Sequence, residues 1–280
     1  MTVRRLNLGC GRRFHPDWEN VDFSSTGPGV RAHDLRKGIP YPDAAFDVVY
    51  HSHLLEHFPK ESAPVFLREC YRVLKPGGVI RIAVPDLETI VRLYLEALEK
   101  AARGIPGWAE NYDWMLLEMY DQAVREHSGG SCNEHYRQDP IPNWEFVHSR
   151  VGAEAEAALA HVRAVSKEAR GEGAKWGSKL RFVLSHPWEV IQHRILRLLL
   201  SRDDYEAFQV ARFRRAGEVH RWMYDAYSLA RLLRAVGFCN PVKREPNESL
   251  IPNWTDYHLD VGADGKTHKP DSLFMEASKP

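Results

Sequence analysis

The sequence predicts an α/β fold: a mostly parallel sheet with helices on both faces, and a helical insertion before the last helix and a final strand pair. Three observations carry that reading. Short apolar runs bounded by turn residues recur at Arg5–Leu8, 47–51 and 79–84, as expected for buried strands. Between the last two, Phe66, Cys70, Val73 and Leu74 fall at helical spacing, so strand, helix and strand make one crossover unit. Residues 96–215 then alternate helical and polar stretches, and a helix pattern with two strand candidates follows after Glu218.

In chain order, the first strand runs into Gly9-Cys10-Gly11. Glycines let the backbone approach a ligand closely, and a small side chain at Cys10 suits the turn. A second short strand, Asn20-Val21-Asp22, ends in a carboxylate that can accept two ribose hydroxyl hydrogen bonds. The pair reads as a nucleoside-cofactor site. Only six residues, Arg12 to Asp17, separate Gly11 from Trp18, whereas a parallel crossover normally needs about a dozen or more. The connection is therefore expected to lack a helix, and with it the free N–H groups by which a helix N-terminus holds an anion. Arg12 or Arg13 is expected to grip a carboxylate instead, against the plainer reading of two solvated surface arginines. A further apolar segment, VRAHDL, carries Asp34 near its end, and Lys75-Pro76-Gly77-Gly78 is expected to stop the central helix. Near the chain's end Leu229, Leu232, Leu233 and Val236 share one helix face closed by Gly237, and residues 238–244 and 272–277 are expected strands. The sheet domain is thus expected to be discontinuous, 1–95 with 216–280, around an insertion at 96–215.

LNLGCG at 6–11, NVD at 20–22, FDVVYHSHLLEHF at 46–58 and RVLKPGG at 72–78, in this order, resemble the class I S-adenosylmethionine (SAM) dependent methyltransferases. The likeness is greatest to a bacterial branch often tied to glycan biosynthesis. It is strong over residues 4–95, and HRWMYDAYSLARLLRAVGF and SLFMEASKP fit the family's C-terminal end. The resemblance implies a Rossmann-like sheet and SAM as cofactor, with S-adenosyl-L-homocysteine as product. It implies a cofactor site of Leu8, Gly9, Cys10, Gly11, Arg12, Asp22, Asp34, Leu35, His51 and Ser52. Asp22 is expected on the ribose and Asp34 at the adenine amino group.

Two histidine-rich motifs carry chemistry beyond cofactor binding. His53-Leu54-Leu55-Glu56-His57 resembles both a zinc-protease pattern and the metal site of some methyltransferases, such as those acting on small-RNA 2′-hydroxyls. On a helix, positions i, i+3 and i+4 share a face, so three ligands meet one cation. The protease reading fails on context. No metal is assigned, but His53, Glu56 and His57 form an alternative set that leaves a divalent ion open; the plainer reading is a motif that caps and orients the cofactor loop. The second motif, Glu218 to Asp225, supplies His220 as the expected general base, oriented by Asp225 or Tyr224. Its plainer reading is a helix cap and a packed histidine, and His53 is the competing catalytic histidine. Trp108, Trp114, Trp144 and Trp222 suit stacking on a sugar but equally suit a core. The expected activity is O-methylation of a saccharide or nucleotide-linked sugar hydroxyl. The alternatives are a metal-dependent O-methyltransferase of a small aromatic or other hydroxyl acceptor, and a non-catalytic SAM-binding partner subunit.

Composition sets outer bounds. In 280 residues, 38 Lys and Arg balance 38 Asp and Glu, so no global field points to nucleic acid. Cys10, Cys70, Cys132 and Cys239 form no CxxC pair, which argues for reduced thiols and a cytoplasmic setting, without a zinc knuckle. No secretory signal is read, nor an apolar run near the ~18 residues of a membrane span. Within the insertion, DWMLLEMYDQAV and AEAEAALAHVRAVSKEA are expected helices, and REHSGGSCNEH between them an expected loop placed to close over a small-molecule or glycan acceptor. Val190 to Leu200 is apolar with basic interruptions, an expected packing helix that leaves peripheral membrane contact open. No pattern sets the oligomeric state.

Overall fold

The computed structural model describes residues 3–170 and 187–280. Residues 171–186 of the expected insertion lie outside the described residues. The strands are β1 (Arg5–Leu8), β2 (Glu19–Asp22), β3 (Val30–Ala32), β4 (Phe46–Ser52), β5 (Leu74–Pro85), β6 (Cys239–Arg244) and β7 (Ser272–Ser278). They form one seven-stranded sheet in the order β3-β2-β1-β4-β5-β7-β6. The first five run parallel, and β7 is antiparallel to β5 and β6. The described helices are α1 (Ala63–Val73), α2 (Leu87–Ala102), α3 (Trp108–Leu116), α4 (Gly130–Tyr136), α5 (Trp144–Val151), α6 (Ala153–Arg170), α7 (Pro187–Leu199), α8 (Arg202–Arg215) and α9 (Ala226–Val236). A π-helical segment, Leu117–Asp121, and one further turn, Gln122–Val124, continue α3.

Strand alternation sorts side chains onto two faces. Leu6, Leu8, Val21, Val49, Ile80, Ile82 and Met275 enter a core with Phe66 and Leu67 of α1 and Leu229 and Leu233 of α9. The intervening residues face the other way, and several are polar: Asn7, Asn20, Tyr50, Arg81 and Glu276 are all buried. Over them lies the irregular connection between β6 and β7. Its Ile251, Trp254, Tyr257 and Leu259 pack on Trp18, Val48 and Tyr50.

The missing first helix is borne out, because residues 9–18 join β1 to β2 without one. Two buried asparagines hold this short crossover. The Asn7 amide donates to Arg13 O (3.1 Å) and Asn20 Oδ1 (3.2 Å), and the Asn20 amide donates to His15 O (3.0 Å) and Trp18 O (2.7 Å). Each of these loop carbonyls therefore finds a partner that a helix would otherwise have supplied.

Arg81, fully buried, is the hub of the polar face. Its Nε donates to Asp260 Oδ2 (2.8 Å) and one terminal nitrogen to Glu276 Oε1 (2.9 Å) and Glu248 O (2.7 Å). The other terminal nitrogen donates to Glu245 O (3.2 Å) and Pro246 O (3.1 Å), so all five N–H donors are used. Tyr50 donates to Asp260 Oδ1 at 2.6 Å, and Trp254 lies over the guanidinium at 4.5 Å.

Two local expectations are corrected. Lys75-Pro76-Gly77-Gly78 does not cap α1: the chain turns extended at Leu74, which pairs with Phe46, and β5 begins at once. Gly77 (φ 76°) forms an irregularity at the sheet's end, its N–H bonded to Lys279 O at 2.9 Å. SCNEH is helical rather than an open loop, since Asp121 Oδ1 accepts the Ser131 N–H at 2.6 Å and starts α4. The insertion has its own core, in which Trp114, Met115, Tyr136, Val147 and Ala155 meet Ile90 and Ala97. The last two belong to α2, which runs unbroken through residue 95. Among the described residues no helix is long and apolar enough to cross a membrane.

Candidate active site

A cavity of about 490 Å³ opens beside the ends of β1 and β4. Gly9, Gly11, Arg12, Arg13, Ser52 and His53 line one side, with Glu154 and Ala157 of α6, Leu259 and Lys269 opposite. Its volume lies in the range of small-molecule sites, about 300–1,000 Å³. Gly9 adopts φ 64°, which strains any other residue, and a Cβ there would lie 2.9 Å from Leu54 Cδ1, so a side chain at this turn would also have to displace Leu54. Gly11 (φ 53°) donates its N–H to Asp22 Oδ2 at 2.8 Å. Asp22 thus backs the cavity wall and keeps its second oxygen at the end of β2, next to Phe23, which is 67% exposed. Burial, then the Asp22 charge, pushes the Cys10 thiol up to about 11, leaving it neutral.

Opposite the glycines, Glu154 Oε1 sits 3.3 Å from both Arg13 and Lys269 Nζ. Arg12 is exposed. Two cations sharing one carboxylate oxygen, with a third beside them, make this end of the cavity suited to an anion.

The histidine motif follows β4. His53 takes a left-handed backbone (φ 49°), donates its N–H to Ala83 O (2.9 Å) and places Nε2 2.8 Å from Ser272 Oγ. Its Nδ1 lies 3.3 Å from Glu56 Oε1. Glu56 is fully buried, and neither carboxylate oxygen makes a hydrogen bond. Burial raises its carboxyl to about 8. His220, 7% exposed, packs its ring against His57 at 4.9 Å, with Nε2 4.0 Å from Glu56 Oε1. Burial holds His53 and His220 well below the usual histidine range, assisted at His53 by Lys269 and at His220 by His57. His57 is lowered by burial too.

The structure gathers the expected site residues selectively. Gly9, Cys10, Gly11, Arg12, Ser52 and His53 come together on one cavity. Leu8 and Leu35 are core side chains, leaving only their backbone for a ligand. His51 is corrected: it points to the opposite face, against Phe66 (5.4 Å), where burial lowers it to about 3. Asp34 caps the turn Leu35–Lys37, and Arg36 takes both its oxygens (2.8 and 3.0 Å). Asp225 is corrected as a partner of His220: its Oδ1 accepts the Ser228 N–H (2.8 Å) in a capping box on α9. The alternative metal set also changes. Leu55–His57 is a 3-10 turn, not an α-helix, so it is Glu56 and His57 that converge with His220, while His53 pairs with Ser272. Of the four tryptophans, Trp114 is core and Trp222, 41% exposed, carries Lys60 over its ring at 4.4 Å.

Sequence reasoning missed Glu154, Lys269 and Ser272, which reach the site from distant segments with no motif of their own. Phe23 carried a readable signal, an aromatic directly after the strand-ending acid.

Residues 17–82 match the family described as a methyltransferase domain. A probable S-adenosylmethionine-dependent methyltransferase of Mycolicibacterium smegmatis is 40% identical over 98 residues, 29% of this chain and 37% of its own. The 27-O-demethylrifamycin SV methyltransferase of Amycolatopsis mediterranei is 27% identical over 135 residues, 46% of each chain. Among solved structures, a SAM-dependent methyltransferase from Archaeoglobus fulgidus is 26% identical, covering 33% of this chain and 51% of its own, with a TM-score of 0.27. The chain spans 37% and 46% of the length of the two curated relatives. The strand order with its antiparallel β7 is that of the Rossmann-like methyltransferase fold, and the matched residues are similar to those of SAM-dependent methyltransferases. SAM is the cofactor of that class, and the side-chain-free Gly9 turn, the cavity's volume and its cationic end fit it.

Proposed function

We propose that the chain transfers a methyl group from SAM to a hydroxyl of a small acceptor, a saccharide or nucleotide-linked sugar being the preferred class. The observation that carries this reading is the single cavity in which the glycine turn, the cationic end and His53 meet. Gly9 and Gly11 bring backbone to the cofactor, and Asp22 offers the ribose its second oxygen, which accepts only a long bond from Ser24 N–H at 3.5 Å. Phe23 offers a flat apolar face to the adenine. Arg12, Arg13 and Lys269 hold the methionine carboxylate, with Glu154 keeping the last two apart until it arrives. When bound, SAM supplies an activated methyl group on a sulfonium sulfur, so the protein's main contribution is alignment and exclusion of water.

A sugar hydroxyl reacts poorly while protonated, and His53 is the base facing the cavity. It is neutral at neutral pH, and Ser272 orients its ring. His220 stands one layer back, behind Glu56 and His57, so the base role moves from His220 to His53. A relative named for methylating a rifamycin precursor supports a small-molecule acceptor. The sequence resemblance supports a sugar. The insertion, α3 to α8, serves as the acceptor's lid, since α6 already walls the cavity.

The test is calorimetric SAM binding, followed by mass-spectrometric detection of methyl transfer to a panel of nucleotide-linked sugars. His53→Ala is expected to cut turnover by about two to four orders of magnitude and leave SAM affinity nearly unchanged. Absence of SAM binding in the wild type sinks the enzyme reading; undiminished turnover in His53→Ala sinks the base assignment alone.

A further inference from the structure

Glu56 poses a problem that methyl transfer does not answer. Its carboxyl is 0% exposed and neither oxygen has a hydrogen bond, an arrangement that costs free energy unless a cation compensates it. No lysine or arginine ion pair reaches it among the described residues; the Lys269 charge acts on it from a distance, and the groups beside it include the imidazoles of His53 (3.3 Å) and His220 (4.0 Å). One ligand atom each from Glu56, His57 and His220 lies within 4.8 Å of the others. Glu56 and His57 come from the turn after β4 and His220 from the strand-like approach to α9, and the two segments are already stitched by Arg221 N–H to Glu56 O at 2.6 Å.

We propose that Glu56, His57 and His220 bind one borderline first-row divalent cation of the Zn²⁺ type, which clips the turn after β4 to the segment before α9. Two imidazoles and one carboxylate, without thiolate, suit such ions better than Mg²⁺ or Ca²⁺, which prefer all-oxygen shells. The His57 ring is already oriented to ligate, because Nδ1 lies 3.3 Å from Val219 O, donates there and leaves Nε2 as the lone-pair nitrogen. An outer hydrogen bond of this kind commonly fixes the tautomer of a ligating histidine. Zinc bonds of about 2.0–2.1 Å at tetrahedral angles put ligands about 3.3 Å apart, so binding draws the three side chains inward by up to about 1.5 Å. Three protein ligands leave a position for water.

The inference is independent of the methyltransferase reading and is tested without SAM. The metal-stripped wild-type chain is titrated with Zn²⁺ by calorimetry and with Co²⁺ by absorbance, with Mg²⁺ as comparison. The expected result is one Zn²⁺ or Co²⁺ per chain, a Co²⁺ spectrum of nitrogen and oxygen ligation, a raised melting temperature, and much weaker binding of Mg²⁺. Glu56→Gln and His220→Ala should each weaken Zn²⁺ binding by more than the roughly 10–100-fold that loss of an outer partner costs. His127→Ala, at an exposed histidine, should not. Absence of a stoichiometric site in the wild type overturns the proposal, and so does binding that survives both ligand substitutions. If either variant fails to fold, the wild-type stoichiometry and Co²⁺ spectrum still decide.

Discussion

Leu6 and Leu8 leave β1 toward a core roofed by α1 and α9, while Asn7 between them leaves toward a face roofed by the irregular chain before β7. The first face is held by apolar side chains in which the helices contribute a periodic stripe. The second is held by a guanidinium with every donor used, two carboxylates and an aromatic lid. An irregular cover presents many backbone carbonyls, and a buried arginine can collect several of them where an apolar side chain can collect none. That cover also stops short of β1's end, and there the cavity opens.

Arg81→Met breaks the polar face most severely. It leaves Asp260 buried without its cation and Glu276 with Arg244 alone, and about 3–5 kcal/mol of unfolding free energy should be lost in urea titration. Replacing all three by apolar residues should recover part of it; a single-variant loss below about 1 kcal/mol would remove Arg81 as the hub. Where the two faces meet the ligand, Asp22→Ala should cost about 1.5–3 kcal/mol of SAM affinity, with the fold retained. Wild-type affinity by calorimetry would exclude a ribose contact. On the helical face, Asp225→Ala removes the α9 cap and should cost about 0.5–2 kcal/mol in thermal unfolding. A fall in turnover of about a hundredfold per folded molecule would return Asp225 to the catalytic set. A further effect concerns pH. Burial, then Glu118, raises Asp271 from 3.8 to about 7, so the native state keeps a proton that the unfolded chain has released. This group's contribution is full below pH 3.8 and is lost as pH rises through about 7. Asp271→Asn should flatten that part of the plot of melting temperature against pH, and an unchanged slope would show that another group sets it.

Much of the helical face was legible because periodicity records it: β1 to β5, α1, α9 and the closing strands all left apolar patterns. The glycine turn and Asp22 were legible as residues at strand ends that suit the close approach of a ligand, the role proposed for them. His51 and Ser52 show a rule within reach, since neighbours on a strand point to opposite faces and only one can line the cavity. The polar face was not legible. Ile251, Trp254, Tyr257 and Leu259 follow neither strand nor helix spacing, and Lys269 and Glu154 look like ordinary surface charges until the chain is folded. The convergence of His220 on Glu56 was equally hidden, because it depends on how two distant segments cross.

Tyr50 meets Asp260 across 210 residues of sequence, and Arg81 meets Glu276 across 195. During synthesis the first five strands leave the ribosome long before their second roof exists. Nonlocal closure of this kind is slow, because the loop entropy is spent before the contacts return it. The glycine turn and the acid at β2 are among the first parts made, yet Lys269 and Ser272 finish the cavity they belong to. A nascent chain halted before residue 245 should therefore expose Tyr50 and Arg81 to water, and one halted before residue 269 should still lack part of the cavity's lining, which makes completion of the cavity a late event in this protein's birth.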